Sequence, residues 1–153
     1  MLCCPATLPR VTRPVSPVVL LAVALAGCAS STPEPRADDA AIRHELVRGV
    51  GHIRATRDRH KLNRQLALSI ARLRQLPGST ASARQARELV VSGFRLTIEG
   101  TRHQLAFAEN DRGEVAAAAR DAALADSFLT RGSNRLRAAG RLLGIRIGAL
   151  NQH

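Results

Sequence analysis

Residues 115–150 have the sequence VAAAARDAALADSFLTRGSNRLRAAGRLLGIRIGAL, in which apolar or small side chains recur every three or four positions. Such a spacing places these side chains on one face of a helix. The stretch therefore predicts one long amphipathic helix, and the small residues in its first half indicate close approach of a partner helix. The face consists of Val115, Ala118, Ala122, Ala125, Leu129, Gly132, Leu136, Ala139, Leu143, Ile147 and Leu150.

Two turn signals separate this helix from the segments before it. Pro77-Gly78-Ser79-Thr80 and Asn110-Asp111-Arg112-Gly113 are rich in turn formers, and Asp111 and Glu114 have the spacing to cap the helix that follows. The segment between the turns has two apolar rows, as expected for a helix that packs on two sides. The rows are Leu89, Leu96 and Phe107, and Val90, Phe94, Ile98 and Leu105.

The segment from Asp38 to Leu76 has an apolar face that is interrupted. The face comprises two groups, Ile42, Leu46, Val50 and Ile53, and then Leu62, Leu66, Ile70 and Leu73. Between them RATRDRHK (residues 54–61) has no apolar side chain larger than alanine, and at about 100° per residue the apolar face turns to the opposite side. The body, residues 38–153, is therefore predicted to be all-α: an antiparallel bundle of about three long helices, the first open to division near Gly49-Gly51 or in this basic stretch.

The N-terminus of the 153-residue chain has the order of features found in an export signal. Residues 1–13 contain Arg10 and Arg13 and no acidic residue, and the apolar run Val15–Gly27 is shorter than the roughly 20 residues that span a bilayer. The run ends in Leu25-Ala26-Gly27-Cys28, which resembles the lipobox of bacterial lipoproteins.

This resemblance implies that residues 1–27 are removed as a signal peptide and that Cys28 carries lipid. The lipid would be diacylglycerol on the sulfur and, in many bacteria, a further acyl chain such as palmitate on the amine. The protein would then be exported and anchored to the outer face of the cell membrane, or to the outer membrane where the host has one. An uncleaved signal anchor, or an ordinary signal peptide followed by a chance cysteine, remains the alternative.

Residues 28–37 are predicted to be a tether between the lipid and the body. Ala29–Ala37 is small and polar and contains Pro33 and Pro35, which favour an extended chain. At about 3.3–3.6 Å per residue, this segment reaches at most about 30 Å. The body would therefore stay near the membrane surface.

The chain carries a formal charge of +11, and part of it is concentrated in the interrupted stretch. Anionic lipids or envelope polymers are the partners expected for this surface, because a guanidinium binds phosphate through two hydrogen bonds. A solvated helix face explains the same charges. Nucleic acid is not expected, because the chain has an export signal and no aromatic side chains are interleaved with the charges. The candidate anion-binding residues are Arg54, Arg57, Arg59, Lys61 and Arg64. Asp58 is the one acidic residue in this stretch.

Gly140, Gly144 and Gly148 recur every four residues. In a continuous helix they would form an edge without side chains, against which another backbone can lie closely. This edge is predicted to pack against a helix of the same chain or to mediate self-association.

The sequence offers no arrangement typical of catalysis or of a metal site. His44, His52 and His60 are eight residues apart, and each step turns about 80° around a helix, so they do not converge. His103 is expected to be a partly buried packing or hydrogen-bonding residue. The protein is therefore predicted to be no enzyme, to need no cofactor or metal beyond its covalent lipid, and to act as a structural or protein-interaction module, with an envelope protein or a second copy as its partner. The alternative is a binder of anionic lipids or envelope polymers.

Overall fold

The computed structural model describes residues 37–110 and 114–150. Within these ranges the chain forms four helices and no strand. The all-helical prediction is confirmed, with four helices in place of three because the first predicted helix is divided. The signal peptide, the lipobox with Cys28, and Asp111 lie outside the described residues. The helices are α1 (Ala37–Ala55), α2 (Arg59–Gln75), α3 (Ala81–Ala108) and α4 (Val115–Leu142).

The division between α1 and α2 falls in the basic stretch, which is one of the two positions predicted for it. The apolar face of α1 ends at Ile53, and the chain leaves helical geometry between Ala55 and Arg59. Asp58 then starts α2, because its side chain accepts a hydrogen bond from the Lys61 peptide N–H at 2.9 Å. The Gly49-Gly51 region, the other predicted position, stays helical.

The core of the bundle contains the apolar residues predicted for the first segment. All eight are buried, and they pack with the buried row of α3. Phe94 is the largest fully buried side chain, and its ring lies against Gly49 of α1. Because the Ser79 N–H donates to Asp38 Oδ2 at 3.1 Å, the start of α1 lies beside the loop that precedes α3. Hence α1 runs parallel to α3.

Helices α3 and α4 form an antiparallel hairpin with an unusually close seam. A Cβ atom on Gly132 would lie 3.0 Å from the carbonyl oxygen of Gly93, and one on Gly100 would lie 3.1 Å from that of Ala125. The two backbones approach this closely because small residues recur every seven positions on both helices. They are Ala86, Gly93 and Gly100 on α3, and Ala125, Gly132 and Ala139 on α4.

The far end of this hairpin extends beyond α1 and is less buried than predicted. Ile53, near the end of α1, shares a pocket wall with Thr97 and Leu129, whereas α3 continues to Ala108 and α4 begins at Val115. Phe107 is 50% exposed and Val115 is 80% exposed. The expectation that both of these residues belong to packed rows is therefore wrong.

The helix predicted over 115–150 ends early. Leu142 is its last residue, and Gly144 has a φ of +67°. The Ile145 N–H donates to the Gly140 carbonyl at 2.7 Å and the Gly144 N–H to the Arg141 carbonyl at 3.2 Å. These two bonds form the Schellman motif, in which glycine is the favoured residue because it adopts positive φ at low energetic cost.

The predicted glycine edge consequently does not form, since its three members lie in different backbone conformations. Gly140 is helical and buried, and a Cβ there would lie 3.0 Å from the Ile147 side chain. Gly144 terminates the helix, and Gly148 lies in the irregular segment that follows. That segment folds back, and Ile145, Ile147 and Leu150 pack against the core.

Candidate functional site

The five predicted anion-binding residues, here called the basic cluster, lie around the junction of α1 and α2. Arg54 is in the last turn of α1, Arg57 is in the connection, and the other three are in the first two turns of α2. Four are exposed and Arg59 is half-buried. Among the described residues, none of the five has a carboxylate within ion-pair distance. The cluster is Arg54, Arg57, Arg59, Lys61 and Arg64.

Electrostatics in the cluster favour a bound anion. The first turn of α2 contains no acidic residue, although helix N-termini normally attract negative charge. Asp58 is the adjacent carboxylate, and the hydrogen bond from the Lys61 N–H holds the pKa of Asp58 below its ordinary value of 3.8, with Arg64 acting in the same direction. Because Asp58 is a single carboxylate against the five cations of the cluster, most of the positive charge stays uncompensated.

One side of the cluster borders a shallow groove between α2 and α3. The groove has a volume of about 460 Å³, and Arg64 shares its wall with His60, Asn63, Arg102 and Glu109. Arg102 is already paired with Glu99, its Nη1 lying 2.7 Å from Oε1. Arg64 is therefore the cation of this wall that is left without an ion-pair partner in the described part of the chain.

His103 has the structural role that its position predicts. Its Nδ1 lies 2.9 Å from Asp121 Oδ1, and its ring stacks on Phe128 at 5.6 Å between centroids. These contacts join α3 to α4 near the exposed end of the hairpin. The side chain is 28% exposed, which agrees with a partly buried packing and hydrogen-bonding residue.

A buried carboxylate on α1 was not predicted from the sequence. Glu45 is 6% exposed, and its Oε1 lies 3.1 Å from Arg48 Nη1 while Oε2 lies 3.9 Å from Arg72 Nη1. The sequence contains an indication of this burial, because Glu45 falls three residues after Ile42 on the core-facing side of α1. The cross-helix partner Arg72 is visible only after α2 packs beside α1.

Residues 37–110 and 114–150 contain no group of three His, Cys, Asp or Glu side chains that could hold a metal ion. In the same ranges, the helices lack any apolar stretch long enough to cross a membrane.

Comparison with known proteins gives no relative: no protein-family model, no curated protein and no solved structure matches this chain. The fold thus defines the class, a four-helix bundle with a basic cluster at one helix junction.

Proposed function

We propose that this protein is a bacterial envelope lipoprotein, anchored by lipid on Cys28, whose helical body acts as a structural or protein-interaction module without enzymatic activity. The observation that carries the proposal is Leu25-Ala26-Gly27-Cys28 at the end of an apolar run preceded by two arginines. An acyl chain contributes about 0.8 kcal/mol per buried CH₂, and two or three chains are needed for stable attachment. The lipid is thus the sole cofactor-like group proposed.

The end of the α3–α4 hairpin is the surface proposed for protein contacts. Phe107 and Val115 are exposed there beyond α1, and His103 with Phe128 braces the two helices just behind them. We take these two exposed apolar side chains, at one end of a braced hairpin, as the contact points for another protein. The proposed partner is another envelope component or a second copy of the chain.

Replacing Cys28 by serine tests the anchor. We expect the variant to lose its acyl mass and to leave the detergent phase, because serine cannot be lipidated by thioether formation. Intact mass and detergent partitioning of the membrane fraction measure both effects. Cys3→Ser and Cys4→Ser are the matched controls, since these cysteines lie in the predicted signal peptide, and they should leave the mature protein unchanged. Retention of Cys28→Ser in the membrane at wild-type levels would refute the anchor.

A second candidate function, binding of anionic lipids or envelope polymers, is supported by the basic cluster. Its cations have no ion-pair partners in the described residues. The cluster begins at the end of α1 opposite Ala37, where Arg54 lies about 25 Å along a helix that rises 1.5 Å per residue. Because the predicted tether reaches up to about 30 Å, both anionic headgroups and envelope polymers lie within reach of the cluster.

Salt and a triple substitution test this second candidate. We expect Arg57→Gln/Lys61→Gln/Arg64→Gln to bind inorganic polyphosphate at least about tenfold more weakly, because charge-assisted hydrogen bonds to the phosphates are lost. Wild-type affinity should also fall steeply as ionic strength rises. Arg120→Gln/Arg135→Gln/Arg141→Gln removes the same charge from exposed positions of α4 and serves as the control. Equal weakening in both triple variants would show a nonspecific charge effect and reject the cluster as a site.

A further inference from the structure

A second basic surface lies in a groove between α2 and α3, and the linear sequence does not reveal it. We call it the arginine groove. Its volume is about 520 Å³, and half-buried Val91 and Leu96 provide apolar surface within it. The lining residues are Arg74, Arg87, Glu88, Val91, Ser92, Arg95 and Leu96.

The three arginines surround the groove from both helices. Arg87 and Arg95 both line the groove from α3, eight residues apart with Val91 midway between them, so their backbones are about 12 Å apart along the helix. Arg74 is in the last turn of α2, on the opposite wall. Glu88 is the one acid in the lining, which leaves the groove with a net positive charge.

Two of these arginines are free to bind a ligand. Arg74 and Arg95 are exposed and have no ion-pair partner among the described residues. Arg87 is half-buried, and its Nη1 donates to the Leu76 carbonyl, which holds its guanidinium at the end of α2. This set of one anchored and two exposed arginines is suited to hold a phosphate, because a guanidinium binds phosphate oxygens through two parallel hydrogen bonds.

One end of the groove lies toward the end of the bundle where the tether enters. Arg74 precedes the last residue of α2, and Arg87 lies in the second turn of α3, whereas Arg95 lies about 21 Å from the start of α3 at 1.5 Å per residue. The loop between them contacts the first turn of α1, since the Ser79 N–H donates to Asp38 Oδ2. Residue 37, the end of the predicted tether, therefore lies close to this end of the groove. The basic cluster starts at the opposite end of α1.

We infer that the arginine groove binds the phosphate of an anionic phospholipid in the membrane that holds the anchor. Arg74 and Arg95 pair with the phosphate oxygens, and Val91 and Leu96 contact the glycerol and the first methylene groups. The inference rests on the proposed lipid anchor for the identity of the membrane. The phosphate chemistry does not depend on it, because the groove is formed by α2 and α3 alone.

The test is a titration of the mature lipidated protein, in dodecyl maltoside, with dihexanoyl phosphatidylglycerol; microscale thermophoresis measures the binding. We expect saturable binding that weakens about tenfold or more in Arg74→Gln/Arg95→Gln, because two charge-assisted contacts are lost. The matched control, Arg120→Gln/Arg135→Gln, removes the same charge from exposed positions of α4 and should change the affinity less than about twofold. Circular dichroism should show unchanged melting, since all four side chains are exposed.

Two further ligands separate the sources of phosphate. Dihexanoyl phosphatidylcholine and inorganic phosphate should both bind more weakly than the anionic lipid. Equal binding of phosphatidylcholine, equal binding of inorganic phosphate, or equal weakening in the two double variants would each overturn the inference. The same titration with Cys28→Ser separates this inference from the lipid anchor. Unchanged lipid binding by Cys28→Ser supports the arginine groove as a site even where the anchor test fails. Absence of lipid binding by the wild type overturns the groove as a site even where the anchor is confirmed.

Discussion

Phe94→Ala is expected to lower the free energy of unfolding by about 3–5 kcal/mol, the range for removing a buried phenylalanine ring. Phe94 is fully buried and is the largest such side chain in the described residues. Its ring fills the space between α1 and α3, against Gly49. Deleting the ring therefore removes apolar contacts and leaves a cavity that rigid helices fill incompletely.

Thermal and urea unfolding, followed by circular dichroism at 222 nm, measure this loss. The chain has no Trp or Tyr, so helix content is a better probe than intrinsic fluorescence. Phe107→Ala is the matched control, because the same atoms are removed from the same helix at a side chain that is 50% exposed. Its cost should stay below about 1 kcal/mol. Similar losses in the two variants would contradict the position assigned to Phe94 in the core.

Gly49→Ala is expected to destabilise the protein although alanine is the better helix former. A Cβ atom at Gly49 would lie 2.1 Å from Cζ of Phe94, so the ring or α1 has to move. Overpacking of this kind costs typically about 1–3 kcal/mol and sometimes more. The gain in helix propensity is about 1 kcal/mol, and a contact as short as this one places the cost at the upper end. We therefore expect a net loss of about 2 kcal/mol in the same unfolding measurement.

Gly51→Ala is the control within the same helix. No atom lies within 4 Å of the Cβ it would add, so helix propensity alone should stabilise this variant by up to about 1 kcal/mol. Opposite signs for two glycines that are two residues apart would locate the effect in packing. A stabilising Gly49→Ala would mean that Phe94 does not lie against α1.

A double-mutant cycle isolates the contact between the two residues. In the Phe94→Ala background the ring is absent, so Gly49→Ala should lose its cost and instead fill part of the cavity. The coupling energy is expected to reach about 3 kcal/mol, the upper end of the range found for residues in direct contact. Additive effects of the two substitutions would show that they do not touch.

Much of the fold could be predicted because it depends on local periodicity. The apolar spacing of Ile42 to Leu73 predicted every large apolar side chain that α1 and α2 bury, and the lack of apolar side chains in residues 54–61 predicted the break between them. The C-terminal end of α4 was missed although its signal is local. Gly144 follows Leu143 at the position where a Schellman glycine ends a helix, and the continuing row of apolar residues concealed it.

The two candidate sites also differ in whether the sequence alone can reveal them. The basic cluster is continuous in sequence, so the order of residues along the chain is enough to name its members, and the α1–α2 junction keeps them together. The arginine groove could not be predicted, because Arg74 comes from α2 while Arg87 and Arg95 come from α3. Only the antiparallel packing of these two helices brings the three charges to one groove.

Phe94 and Phe107 show where local information ends. Both lie on α3, and the apolar spacing assigned each of them to a packed row, because periodicity specifies the face of a helix on which a side chain lies. Whether that face is covered depends on the helices beside it. Glycine seams and the end of α1 determine those neighbours, so Phe94 is fully buried against α1 while Phe107 is half exposed beyond it. The positions of the helices thus follow from the amino-acid pattern. The burial of each side chain, Glu45 included, and the arginine groove arise from tertiary contacts, because such contacts join residues that are distant in the chain.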